Sequence, residues 1–175
     1  MELLFETPRL EVYDAVEEEI PIIMEMEEAI ENRNFVFQGT YEDHLAEIKS
    51  KNTLLLSIRT KTNREMIGFC LSVIDNKSKS FEFRRVVIDV KREGYGKEFI
   101  LGLLEYCFID LEMNRFWLDA FEDNIVGINL YTSLGFIHEG TLRQSYRDER
   151  GYRSQLIFSM LRDEYFQKYG KDKLI

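Results

Sequence analysis

Cysteine, proline and histidine are scarce in this chain, with two residues of each. Two prolines leave no room for a Pro-rich linker. Cys70 sits in a strand-like pattern and Cys107 in an apolar helical one, so both read as small buried hydrophobes. No disulfide framework is indicated, which fits a reducing, cytoplasmic setting. His44 and His138 are far apart and lack Cys or His partners at ligand spacing, so no metal is expected. Either histidine could serve as a base, but a surface position is the plainer reading of both. No stretch approaches the roughly 20 apolar residues of a membrane span. No signal-peptide pattern follows Met1 and Glu2. Positive charge is also short, 23 Lys and Arg against 32 Asp and Glu, for a net charge of −9. Such a chain repels a polyanion on average, so a general nucleic-acid binder is not expected.

The 175 residues are 45% hydrophobic and 13% aromatic, which excludes a disordered or low-complexity chain. The length suits one domain over 1–175, with a core from about residue 7 to 161. The charge is uneven. Residues 1–50 hold 14 acids and 3 bases, a net of −11, whereas residues 51–175 hold 18 acids and 20 bases, a net of +2.

Periodicity predicts a strand over 9–14, a helix over 15–31, a loop over 32–39 and a short helix over 41–50. In the first helix Val16, Ile20, Ile23, Glu27 and Ile30 share one stripe, and the other faces are Glu-rich. Apolar runs over 53–60, 66–75 and 81–90, separated by polar turns, predict an antiparallel meander. A helix follows Gly94-Tyr95-Gly96, then a strand over 115–121. Asp123 or Asn124 can cap a helix running to Leu134, which Gly135 closes. Strands over 136–147 and 152–161 and a short charged helix complete the pattern. The fold class is α+β, or mixed α/β: about seven mostly antiparallel strands, four to five helices and one strand–helix–strand crossover.

Two constellations carry chemistry. In the first, a strand runs into Lys91-Arg92-Glu93-Gly94-Tyr95-Gly96-Lys97 and then a helix. Glycines at a helix start let a ligand approach the backbone, and free N–H groups with the positive end of the helix dipole favour phosphate. Lys91, Arg92 and Lys97 add positive charge. A plain tight turn would look the same. The Gly-Lys-Ser/Thr ending of a Walker loop is absent, and Phe99 stands where a dinucleotide fingerprint needs its third glycine. In the second, Asn124 leads to Leu130-Tyr131-x-x-Leu134-Gly135-Phe136. Alone, this is a core aromatic and a helix stop. The run Arg143, Arg147, Arg150 and Arg153 alternates with acids and reads as a solvated hairpin rather than a nucleic-acid patch.

Taken together, Lys91-x-x-Gly94-x-Gly96, Asn124 and the Leu-Tyr-x-x-Leu-Gly-Phe element resemble the GNAT superfamily of N-acetyltransferases. Thr7-x-Arg9-Leu10 and Glu139-Gly140-x-Leu142-Arg143 are similar to the branch of ribosomal-protein N-terminal acetyltransferases and spermidine acetyltransferases. The resemblance implies a sheet splayed between strands 81–90 and 115–121 to admit acetyl-CoA as cosubstrate. Main-chain groups of Val86, Val87 and Ile88 would hold the pantetheine arm and polarise the thioester carbonyl. Gly94, Tyr95, Gly96 and Lys97 would take the pyrophosphate, and Asn124 would bond the pantetheine. Tyr131 matches the family's general acid, which protonates the departing thiolate. Glu82 sits where part of the family carries a glutamate and is the candidate base. By strict alternation it shares a face with Val86 and Ile88, unless a bulge intervenes. A neutral amine with water as proton carrier is the other route. Lys91 replaces the usual Gln or Arg, and Ser154-Gln155 stands where relatives often carry an Asp.

The resemblance also places the first two helices and their loop, the acidic residues 15–50, beside the acceptor. They could draw in a cation such as a polyamine, another small amine or a basic protein N-terminus; equally, they could serve solubility. A non-catalytic acetyl-CoA-binding module is the competing class. A homodimer is a common state for such domains.

Overall fold

The computed structural model describes residues 1–170. Its strands are β1 (Leu3–Glu6), β2 (Leu10–Asp14), β3 (Thr53–Thr60), β4 (Met66–Asp75), β5 (Ser80–Ile88), β6 (Arg115–Phe121), β7 (Ile137–Asp148) and β8 (Gly151–Leu161). They form one sheet in the order β1-β2-β3-β4-β5-β6-β8-β7. Only β5 and β6 pair in parallel; every other neighbour is antiparallel. The helices are α1 (Ile20–Glu28), α2 (Tyr41–Lys49), α3 (Tyr95–Glu105), α4 (Ile125–Leu134) and α5 (Arg162–Tyr169).

The expected meander and crossover are present, with an eighth strand that periodicity misses. β1 is an edge strand with no polar–apolar alternation, and its ring contact lies far along the chain: Phe5 stacks on Tyr106 at 5.3 Å between centroids. The long first helix is shorter than expected. A 3-10 turn at Glu17–Glu19 precedes α1, and the chain leaves the helix at Ala29 with ψ 137°. α2 starts on a capping box in which the Thr40 side chain accepts from the Asp43 N–H and the Asp43 carboxylate accepts from the Thr40 N–H.

The sheet buries both faces. The larger core joins α3, α4 and α5 to one face through Phe99, Leu103, Tyr131, Leu134 and Tyr165. The smaller one joins α1 to the other face through Ile23, Met26, Phe69 and Val87. Cys70 and Cys107 are both fully buried and free, as their patterns predicted. Burial pushes the Cys70 thiol up to about 12 and raises that of Cys107, so both are inert.

Candidate active site

The site begins where β5 and β6 part. They pair from Ser80 to Phe83 against Arg115 to Leu118 and no further. At that point β5 carries a bulge: Phe83 faces Ser72 and Arg85 faces Leu71 on β4, leaving Arg84 as the extra residue. A bulge bends and over-twists its strand, which turns β5 away from β6. The wedge is a cleft of about 280 Å³. Val86, Val87, Ile88, Asn124 and Tyr131 line it, and so do Lys91, Arg92, Gly94, Tyr95 and Gly96. Lys97 stands exposed on the first turn of α3 and does not line it.

At one end of the cleft stands the α3 N-terminus. Gly94 is its N-cap, at φ +79°, a left-handed conformation costly for any residue with a Cβ. Thr40 caps α2 and Asn124 caps α4 with their side chains; no side chain caps α3. Its first-turn N–H groups therefore have no intrahelical or side-chain acceptor. A Cβ at Gly96 would meet nothing within 4 Å, so open space lies over those donors. An uncapped, glycine-lined helix start is suited to a phosphate group.

Two braces hold this loop. The opening Thr7-x-Arg9-Leu10 supplies one. Glu98 Oε1 accepts from Thr7 Oγ1 at 2.6 Å and from the Arg9 N–H at 2.8 Å, and Glu98 Oε2 accepts from Arg9 Nε at 2.6 Å. Arg9 also donates to the Glu93 carbonyl at 3.0 Å and lies 4.3 Å over the Tyr95 ring. Gly102 lets the N-terminal segment approach, since a Cβ there would come within 2.7 Å of Thr7 Cγ2. The second brace is Lys91, whose Nζ donates to Asn32 Oδ1 at 2.8 Å.

Tyr131 lines both the cleft and an adjoining hollow of about 90 Å³ deeper in the splay. Its side chain is nearly buried, and burial raises its pKa, so the phenol stays protonated across the physiological range. Its hydroxyl has no hydrogen-bond partner among the described residues. Asn124 Oδ1 is committed to the α4 cap, accepting from the Gly127 N–H at 3.0 Å.

The carboxylate in the hollow with Tyr131 is Asp119, on β6. Burial raises its pKa, a hydrogen bond from Gln155 Nε2 opposes the rise, and the nearby charge of Glu82 adds to it. Ser145 Oγ donates to Gln155 Oε1 at 2.7 Å and so fixes which end of that amide meets Asp119. Sequence reasoning missed Asp119; the signal was one carboxylate in the otherwise apolar run Phe-Trp-Leu-Asp-Ala-Phe. Glu82 does not line these hollows. Its carboxylate is held by Arg84 through two bonds of 2.8 Å. Its expected sharing of a face with Val86 and Ile88 is corrected by the bulge. Phe81 and Phe83 pack into the same core as Val86 and Ile88, which leaves Glu82 on the opposite face with Val87.

Beyond Asp119 the hollow opens, through Val36, Phe37 and Phe121, into a mouth of about 520 Å³. One wall is the segment after α1 and the other is the β7–β8 hairpin. Tyr146 sits between Phe37 and Phe121 with ring centroids at 4.8 and 5.2 Å. Arg153 lies 3.6 Å over Phe121 and pairs with Asp123 and Asp148. Arg150 pairs with the same two carboxylates, so these two arginines of the run are charge-matched.

Among the described residues, Glu31 is the one acid of the first 50 that lines any of these hollows. Several others are spent inside the fold. Glu27, on the apolar stripe of α1, is fully buried. It accepts from Arg85 at 2.5 Å and from the Gly39 N–H at 2.8 Å, and it meets His44 Nε2 at 3.2 Å. Glu47 takes the other His44 nitrogen at 2.9 Å and Arg85 at 3.1 Å. His44 is thus a buried imidazolium rather than a surface histidine. Burial alone would lower its pKa, but the two carboxylates overcome that and hold it at about 9. His138 is exposed, its ring against Phe158. Among the described residues no group of three or more His, Cys, Asp or Glu could hold a metal ion. No helix among them is long and apolar enough to cross a membrane.

Known proteins resemble this chain in sequence and fold. A spermidine N(1)-acetyltransferase of Vibrio cholerae is 24% identical over 148 residues, covering 78% of this chain and 86% of that protein. YokL, a prophage-derived uncharacterized N-acetyltransferase of Bacillus subtilis, is 30% identical over 97 residues, 55% of each chain. For p20, an uncharacterized N-acetyltransferase of Bacillus licheniformis, the identity is 32% over 114 residues. The match spans 55% of YokL's length and 62% of p20's. Among solved structures, a chimera of Vibrio cholerae spermidine N-acetyltransferase SpeG with hSSAT superposes with a TM-score of 0.81 at 18% identity, over 90% of this chain and 98% of that one. A GNAT-family acetyltransferase of Bacillus anthracis gives 0.77 at 13%, over 94% and 100%. These two share the fold. The model of the acetyltransferase (GNAT) family matches residues 20–136, more than half of the chain, and the protein belongs to that family of acyltransferases.

Proposed function

We propose that this protein moves the acetyl group of acetyl-CoA to a small primary amine, with Tyr131 as general acid and Asp119 as the carboxylate that accepts the amine's proton. The observation that carries this reading is the splay of β5 from β6. It exposes main chain at Val86–Ile88, an uncapped helix start at Gly94 and the unpartnered Tyr131 hydroxyl along one cleft. Residues present fit the cosubstrate: backbone donors for its pyrophosphate, Lys91 and Arg92 beside them, Asn124 along the pantetheine arm.

The acceptor is an ammonium at neutral pH and gives one proton to Asp119 or to a water beside it. Its nitrogen pair attacks the thioester carbon, and β5 N–H groups that lack a β6 partner stabilise the oxyanion. Collapse breaks the C–S bond, and Tyr131 gives its proton to the leaving sulfur. The surplus proton on the new amide nitrogen goes to solvent, and Tyr131 regains one from solvent. Products are the acetamide, CoA thiol and one released proton. Glu82, held by Arg84, raises the proton affinity of Asp119.

Two features support a polyamine as the acceptor: the likeness to a spermidine acetyltransferase and the net charge of −9, which attracts cations at long range. The test is thiol release on mixing with acetyl-CoA and a panel of amines including spermidine and basic peptides. Release with small amines is expected. CoA binding without release from any amine would leave only a binding module.

A further inference from the structure

Asn32 lies between the two halves of the site and is nearly buried. Its Nδ2 donates to the Met26 carbonyl of α1 at 2.8 Å and to Asp89 Oδ1, just past β5, at 3.0 Å. Its Oδ1 accepts from Lys91 Nζ at 2.8 Å. Its main-chain carbonyl accepts from the Phe35 and Val36 N–H groups at 2.8 and 3.2 Å, which sets the turn that follows. That turn carries Arg33, Asn34 and Phe37 into the acceptor mouth, beyond the cofactor cleft, whereas Phe35 and Val36 line both the cleft and the hollow of Tyr131 and Asp119.

From these contacts we infer that Asn32 is a positioning residue that couples cofactor binding to the acceptor loop. Both amide hydrogens of Asn32 are committed, to the end of α1 and to β5. Its one remaining polar partner is the lysine beside the phosphate cradle. An ammonium has three donors, and Asn32 uses one, so Lys91 can hold Asn32 and a phosphate oxygen at once. Phosphate draws Lys91 into a fixed place, and Asn32 passes that restraint to residues 33–37. Cofactor binding thereby orders the wall that receives the amine. The coupling is reciprocal, so an amine seated on the loop tightens CoA by the same factor.

This inference rests on the acetyl-CoA reading, and the experiment separates the two. Amide hydrogen exchange is followed on the full chain with and without saturating CoA, for wild type and Asn32→Ala. In wild type, CoA should slow exchange at 94–98 and, by about 10-fold or more, at 33–37. In Asn32→Ala the slowing at 94–98 should persist, as should direct protection of Phe35 and Val36 in the cleft, while that at 33, 34 and 37 should vanish. With an active amine from the panel, acceptor KM should rise several-fold while kcat changes little. Equal protection of 33, 34 and 37 in the variant, or none there in wild type despite protection at 94–98, would overturn the coupling. No protection anywhere in wild type would overturn the acetyl-CoA reading itself, and the coupling with it. Should Asn32→Ala fail to fold, Lys91→Met cuts the same bond while leaving Asn32 on Met26 and Asp89, and must also lose protection at 33, 34 and 37 at a CoA concentration that still protects 94–98.

Discussion

The two ends of the cleft are built from different materials. The cofactor end is largely main chain: unpaired strand groups after Phe83, a helix start without a side-chain cap and a glycine at positive φ. The end proposed for the acceptor is side chain: an aromatic trio and arginines pinned by Asp123 and Asp148. Backbone donors are common to any sequence that makes the turn, so they suit a cosubstrate shared by a whole family. Side-chain pairs change with single substitutions, so they suit a partner that differs from member to member.

Substitutions at either end can break this contrast. Tyr131→Phe should have the largest effect, lowering kcat about 10²–10⁴-fold with CoA affinity unchanged. An unaltered kcat would remove Tyr131 as the acid. Asp119→Asn should lower kcat by about 10²-fold and abolish the acid limb of the pH–rate profile. That limb reports a raised carboxylate, so activity is present above its pKa and lost as pH falls through it. Gly94→Val should weaken CoA, measured by calorimetry, by about 5- to 30-fold, since a left-handed residue with a Cβ costs about 1–2 kcal/mol. Retained affinity would move the phosphate site elsewhere. Glu82→Gln sharpens the contrast more gently: with one like charge gone, the acid limb should shift to lower pH and kcat should stay near wild type.

The smallest effect belongs to pH alone. The folded pKa of His44 is raised from 6.5 to about 9. Its contribution to stability is therefore complete below about 6.5 and is lost as pH rises through 9. Thermal melts from pH 6 to 10 should show a decline that His44→Gln lacks, while the cofactor end, which holds no such group, keeps its affinity for CoA.

The contrast also explains what was legible in the residues. The strand–helix crossover, the glycine start of α3 at Gly94 and the Asn124 cap each depend on spacings of a few residues, and all three stand where expected. The face of Glu82 was not legible. It turned on a single bulged residue, Arg84, and parity beyond a bulge cannot be counted along the strand. Asp119 showed only as a lone acid in an apolar strand. The burial of His44 was foreshadowed by one anomaly, Glu27 on the apolar stripe of α1, whose partners lie 12 to 58 residues away.

The charge imbalance follows the same division. That the first 50 residues carry −11 is a property of the sequence alone, and so is the family signature of glycines, Tyr131 and Leu-Gly-Phe. Where that charge goes was decided by tertiary structure. Several of the carboxylates are taken up by Arg59, Arg85 and His44 inside the fold, and little of it faces the cleft. Local hydrogen bonds and backbone conformation are set by neighbours in the chain, so a motif can announce them. A buried charge is tolerable only beside its partner, and which partner arrives depends on how α1, α2 and β5 pack together.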